Sequence, residues 1–248
     1  MSVATTQPSV AAPRPLEVPG PATRVPSLDE LEELTDIPDR RVVFRGVDWA
    51  FYDRLVGSIP EGSNIHVDYD GRDLEVMGNG WEHEDLADAL GDFVKAVAVA
   101  MGIACKGLRE TTWTRPAISR GLESDQCYYF QPEKIAQFAL VRGQKDISLL
   151  PNPDLAIEID ISRPQIDRAG IYAALGVAEV WRFVDNRIII ERLTPAGTYI
   201  AADASGFLPV RADEIQRWVV DEDRTDDAAW LRRLQAEMST RAANRTNN

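Results

Sequence analysis

The sequence predicts an α/β fold: a mixed sheet flanked by helices, with a hairpin near the N-terminus and a helical extension at the C-terminus. Three stretches carry that reading. Leu155 to Ile161 is a run of aliphatic and β-branched residues that reads as a buried strand, followed by a short helical pattern and a second apolar run, Ala178 to Val184. Strand, helix and strand in close succession make a βαβ unit inside a covered sheet. Ile65 to Tyr69 and Asp73 to Met77 alternate on either side of Asp70-Gly71, the signal of a tight hairpin. Trp81 to Met101 carries Leu86, Leu90, Phe93, Val94, Val97 and Met101 at helical spacing and stops at Gly102.

In chain order, Met1 to Val25 is rich in Pro, Ala, Ser, Thr and Val without a period, the composition of a flexible leader that buries too little to fold. Order is expected from Ser27, which with Glu30 makes a capping box for a helix carrying Leu28, Leu31 and Leu34. A second helix, Asp48 to about Ile59, sets Phe51, Leu55 and Ile59 on one side. The hairpin and the long helix follow. Ala104 to Trp113 and Leu122 to Phe130 read as strands around a loop from Arg115 to Gly121. Gln131 to Asn152 has no firm period and is left unassigned. Beyond the βαβ unit, Asn186 turns the chain into Arg187 to Leu193, and a short helix near Ala212 to Val219 closes a domain spanning residues 27–220. Residues 221–248 form an acidic linker and tail. There Ala228 to Arg241 makes a terminal helix whose Trp230, Leu231 and Leu234 fold back or meet a partner; the lack of a sustained heptad repeat favours folding back.

With 248 residues, 44% of them hydrophobic, the chain suffices for one substantial core. Its formal net charge of −13 argues against broad nonspecific affinity for nucleic acid, which rests on Lys and Arg neutralising phosphates. Any nucleic-acid site must be local. Two cysteines, Cys105 and Cys127, make neither a disulfide framework nor a clustered zinc site. The sequence has no apolar run of membrane-span length and no signal-peptide pattern, so a soluble, cytoplasmic protein with no membrane partner is expected.

Within the central run, Leu155, Ile157, Ile159 and Ile161 share one face, and Ala156, Glu158, Asp160 and Ser162 share the other. Two carboxylates at roughly 4 Å repel by about 4 kcal/mol at an effective dielectric near 20. A cation or a proton relieves this, as does solvent if the strand lies at an edge. Ser162 is placed to cap a helix from about Pro164, with Tyr172, Leu175 and Val177 as its apolar side and Gly176 as its stop.

PDLAIEIDIS with IYAALGVAEVW, together with ESDQCYY upstream and EHE on the long helix, resembles the Uma family of candidate bacterial restriction endonucleases in the PD-(D/E)XK nuclease superfamily. The likeness runs from about Leu28 to Val219. It implies a restriction-endonuclease-like sheet with the hairpin at its edge, and hydrolysis of DNA phosphodiester bonds with Mg²⁺ or Mn²⁺ held by Asp125 and Glu158 from neighbouring strands. Glu84 either adds a water-mediated contact to the ion or simply suits a first helical turn; His83 orients a ligand or packs as a satisfied histidine. Glu123 and Gln126 flank Asp125 and support it by hydrogen bonding, unless Gln126 is merely a polar surface residue.

The third superfamily position departs from the pattern. Asp160 stands where the lysine would be, and Arg168, four residues before Tyr172, stands where relatives supply a lysine from the following helix. Arginine grips phosphate bidentately but does not deprotonate to act as a base. Arg109, Arg115 and Arg120 are candidates for a phosphate-binding edge, or solubilise the surface. The expected function is a Mg²⁺-dependent endonuclease with Asp125, Glu158 and Arg168 as its catalytic groups. The alternative is a nuclease-fold binding protein that has lost turnover. The expected partner is nucleic acid, DNA in the first place, with a homodimer left open.

Overall fold

In the computed structural model, residues 12–18, 24–60, 62–144 and 147–246 are described. Part of the expected leader is ordered after all: Leu16–Glu17 (β1) pairs in parallel with Arg41–Phe44 (β2), a strand buried along its whole length. Residues 1–11 and 19–23 of that leader lie outside the described residues. Between β1 and β2 the helix Leu28–Leu34 (α1) opens on the expected capping box, with Ser27 Oγ accepting the Glu30 N–H and the Glu30 carboxylate accepting the Ser27 N–H. Asp48 likewise caps Trp49–Ser58 (α2) by accepting the Phe51 N–H at 2.8 Å.

Ile65–Tyr69 (β3) and Leu74–Gly78 (β4) form the expected hairpin, its turn passing through Gly71 at φ +94°, a conformation that suits glycine. The hairpin is not at the sheet edge. β4 pairs with β2 and β3 pairs with Gly121 of the next sheet segment, so β1 and β2 lie outside it. The apolar face of β2 to β4 supplies that cover: Val42, Phe44, Val67 and Val76 pack with Leu31, Phe51 and Leu55 of the two short helices into one core.

Trp81–Met101 (α3) ends at Gly102 in the left-handed conformation, as its pattern requires. Lys106–Arg115 (β5) and Arg120–Tyr129 (β6) then pair along their lengths. The unassigned stretch contains Pro132–Leu140 (α4). Leu155–Asp160 (β7), Arg168–Leu175 (α5) and Glu179–Val184 (β8) form the βαβ unit, with the two strands parallel. Its helix begins later than expected. Asp167, not Ser162, is the cap, accepting the Gly170 N–H at 2.8 Å, because the Ser162 hydroxyl is already engaged by Asp39 O and by Arg41. Arg187–Leu193 (β9) and Tyr199–Ala202 (β10) complete the sheet.

Leu155, Ile157 and Ile159 pack on the α3 side, with Phe93, Val97 and Trp181, while Ala156 meets Ile171, Tyr172 and Leu175 of α5 on the other side. The C-terminal segment adds Ala212–Gln216 (α6) and Asp227–Thr246 (α7). In α7, Trp230, Leu234 and Met238 recur every four residues, lie buried in the α3 core, and Trp230 Nε1 donates to Trp218 O at 2.8 Å. The terminal helix therefore folds back. None of the described helices is long and apolar enough to cross a membrane.

Because Leu234 is fully buried in that core, Leu234→Ala is expected to cost about 2–5 kcal/mol of unfolding free energy, read by urea denaturation. A loss below 1 kcal/mol would mean that α7 decorates the core without completing it.

Candidate active site at a fork in the sheet

β6 has one edge filled by β5. Its other edge is shared by two strands: β3 pairs at Gly121, and β7 pairs over Gln126 to Tyr128. Between those pairings the sheet forks, and the backbone there needs other partners. Carboxylates supply them. Asp68 of β3 accepts the Glu123 N–H at 3.1 Å, and Asp125 of β6 accepts the Ile159 N–H at 2.7 Å. Side-chain alternation also slips along β6, since Leu122 and, further on, Cys127 and Tyr129 all pack in the α5-side core. Extending the β6–β7 register by one residue sets Asp125 opposite Glu158.

Asp125 is met from α3 by His83 Nε2, 3.2 Å from its Oδ2. His83 Nδ1 lies 3.3 Å from Glu84 Oε1, and Glu84 also accepts from Asn79 Nδ2 at 3.0 Å. Asn79 in turn contacts His66 Nε2 at 2.8 Å, and His66 faces Glu123 at 3.7 Å. Both histidines of the chain thus line one wall. Glu158 is held by Arg168 and by the Tyr172 hydroxyl, which donates to it. Arg168, buried, spends its other nitrogens on Asp68, at 2.9 Å, and Asp160, at 3.0 Å. Asp160 collects two further guanidiniums: Arg41 at 2.8 Å and Arg182 at 3.0 Å. Arg41 continues to Glu75 at 2.5 Å and to the Ser162 carbonyl at 2.9 Å.

Asp125, Glu158, Asp160, Arg168, His83, Glu84 and Glu123 therefore meet at the fork. Gln126 does not. It is buried away from solvent against α3, donating to Ala87 O at 3.3 Å. The three loop arginines form no common edge: Arg115 and Arg120 are register partners at one end of the β5–β6 ladder, whereas Arg109 lies six residues along and pairs with Asp88. Arg41, Asp68, Glu75 and Arg182 are site residues that the sequence reading did not single out. For Asp68 and Glu75 a signal existed, since both alternate with apolar residues in the hairpin; on an edge hairpin that pattern means solvent, and on an interior one it means a buried polar face.

The Uma2 family model, described as "Putative restriction endonuclease", matches residues 49–214, more than half of the 248 residues. The chain belongs to the Uma2 family. Among solved structures, it is similar to a putative nuclease belonging to DUF820 from Anabaena variabilis, at 12% identity and a TM-score of 0.47, over 70% of this chain and 99% of that one. No curated protein matches it.

In this Uma2 chain the fork is short of positive charge. Six carboxylates (Asp68, Glu75, Glu123, Asp125, Glu158, Asp160) face three guanidiniums and the charged imidazole of His83, a formal excess of at least two negative charges before Glu84, beside His83, and Glu191, beside Arg182, are added and with His66 uncounted. Burial pushes Glu158 well above the usual carboxylate range, and Asp125, Asp160 and Asp68 add to the rise while Arg168 opposes it. Asp125 goes the other way. Its burial would raise it, but His83 brings it down to about 2. Burial likewise works against the charge on His83, yet Asp125 and Glu84 lift it to about 10. One carboxylate stays ionised and its neighbour is the natural seat of a proton or a cation.

Removing the guanidinium should expose that imbalance. Arg168→Ala is expected to lose about 3–5 kcal/mol of stability in metal-free buffer at pH 8, by urea denaturation, since it strands buried carboxylates. A carboxyl whose folded pKa is raised weakens the fold above that pKa, and the penalty vanishes as pH falls toward the ordinary carboxylate range. The deficit of Arg168→Ala should therefore shrink on going from pH 8 to pH 5; a deficit that is constant or grows would assign the loss to packing.

Proposed function

We propose that this Uma2 chain is a divalent-metal-dependent endonuclease that hydrolyses DNA phosphodiester bonds in the cytoplasm, with the ion held by Asp125 and Glu158. The observation that carries this reading is the juxtaposition of two buried carboxylates, Asp125 and Glu158, across adjacent strands in a cluster where negative charge exceeds positive. Their oxygens suit a hard cation. Among the described residues no three His, Cys, Asp or Glu side chains form a ready-made cage. Two carboxylates are a donor set of hard oxygens that suits Mg²⁺ or Mn²⁺, ions that keep waters and take substrate oxygens for the rest of their coordination. When bound, such an ion polarises the phosphate and lowers the pKa of a bound water.

The chain's own residues have separable tasks. His83 and the Ile159 N–H fix the Asp125 carboxylate and keep it ionised. Tyr172 orients Glu158, which must release its proton to become a ligand. Glu84, the most exposed of these acids, reaches the site through His83, so a water-mediated contact to the ion is its natural role. Arg168 holds the acids together and cannot serve as a base. A binding protein without turnover is the second reading, favoured by one observation: the Arg168 nitrogens all face carboxylates, leaving phosphate contact to a rearrangement of that side chain.

Cleavage assays with single-stranded, duplex and branched DNA decide between them. Mg²⁺ or Mn²⁺ should support cleavage and EDTA should abolish it, while Asp125→Ala should slow it by roughly 10³-fold, the equivalent of several kcal/mol of barrier. In parallel, the ion at about 100 times its Kd should stabilise the wild type by roughly 2.7 kcal/mol, and Glu158→Ala should lose that gain. A wild type that binds DNA, is not stabilised by either ion and cleaves nothing is the binding protein.

A further inference from the structure

Of the six tryptophans in the chain, Trp113, Trp181, Trp218 and Trp230 are buried, Trp49 is half-buried, and Trp81 is 79% exposed. An indole on the surface forfeits the burial that normally retains it. Trp81 is the first residue of α3, two and three positions before His83 and Glu84, and at a three-residue spacing it shares the helix face of Glu84. It therefore stands one helical turn from Glu84, on the exposed side of the helix that brings His83 to Asp125.

Its mounting is rigid. Gly80, the residue before it, donates its N–H to Asp39 Oδ1 at 3.0 Å, and a Cβ on Gly80 would meet Asp39 Oδ2 at 2.5 Å. Asp39 itself is buried, adopts φ +59°, donates its N–H to Gly78 O and accepts the Ser162 hydroxyl through its carbonyl. The start of α3 is thus tied to the end of β7, the strand bearing Glu158. The backbone that carries the indole is thereby anchored to the strand bearing a candidate ligand.

The neighbours of the ring say what it is shaped for. Glu82 and Asp85, one and four residues on, are exposed acids, so the ring is no part of a broad apolar patch. Asp85 is paired with Arg224, and a lone ring among polar side chains suits a planar group with polar edges. The geometry points to Trp81 as a stacking platform for an unpaired nucleobase beside the scissile phosphate, which makes the substrate DNA with single-stranded or frayed character. This inference rests on the endonuclease reading of the same site. In a duplex both faces of an interior base are already stacked, whereas an unpaired base offers a face to the indole.

Fluorescence anisotropy of the full chain, with Ca²⁺ in place of Mg²⁺, tests it on two labelled probes: a 12-nucleotide single strand and a blunt duplex annealed from two strands. Trp81→Ala should weaken single-strand binding roughly 5- to 150-fold, the range of one lost base–aromatic stack, and leave the duplex unchanged. Trp81→Phe should restore most of the loss. With Mg²⁺, the Ala variant should raise KM for the single strand while holding kcat. Its melting temperature should match the wild type, which separates lost stacking from lost folding. Single-strand binding by Trp81→Ala equal to wild type overturns the inference, as does an equal loss on both probes. So does a change from dimer to monomer by sedimentation with single-strand binding intact, which would make a second copy of the chain the cover for the ring. Failure of the endonuclease reading looks different: a wild type that needs Trp81 to bind the single strand yet cleaves nothing with Mg²⁺ or Mn²⁺ keeps the platform and loses the nuclease.

Discussion

The Arg168 guanidinium, buried between Asp68, Glu158 and Asp160, closes the fork on which the rest of the site depends. Two strands cannot share one edge of β6 without leaving backbone donors between them, and here the Glu123 and Ile159 N–H groups are satisfied by Asp68 and Asp125. Each carboxylate drawn in for that purpose brings a buried charge, costly unless paired. Arg168 answers it across β3 and β7, and Arg41 repeats the device from β2, joining Glu75 of β4 to Asp160 of β7. The acids that make the site chemically interesting are thus also the acids that let the sheet divide. For that reason no single carboxylate here can be read as purely structural or purely functional.

What could be read from the sequence followed from short-range physics. Capping boxes, the Asp70-Gly71 turn and left-handed glycines act within a few residues, so α1, α2, the hairpin and both ends of α3 were legible. Glu158 stood out by sharing a strand face with Asp160, and its pairing with Asp125 came through family resemblance; the structure sets the two on facing positions of β7 and β6. Arg41 was not. Its partners Asp160 and Ser162 lie 119 and 121 residues away, and nothing local distinguishes an arginine that opens a four-residue strand from one that solubilises a loop. The same distance explains the misplaced start of α5. Ser162 looks like a cap until Arg41 and Asp39 O claim its hydroxyl, and the helix then waits for Asp167. The edge position that the resemblance implies for the hairpin is taken instead by β1 and β2, and β2, four buried residues long, is too short to announce itself as a strand.

The two departures from the pattern that the sequence resemblance implies are one physical event. An acid at position 160 and an arginine at 168 sit 3.0 Å apart and would each be costly alone in a buried site. Asp160 goes further, gathering Arg41 and Arg182 as well, but those are already matched by Glu75 and Glu191. The positive charge that a lysine would have aimed at substrate is thus absorbed within the protein. The fork consequently attracts cations more strongly, and phosphate more weakly, than an arrangement with a free lysine. Nucleic acid can approach such a site only if the ion brings the positive charge with it, or if contact begins on a group indifferent to charge. An exposed aromatic ring is a group of that kind, and Trp81, one helical turn from Glu84, is 79% exposed.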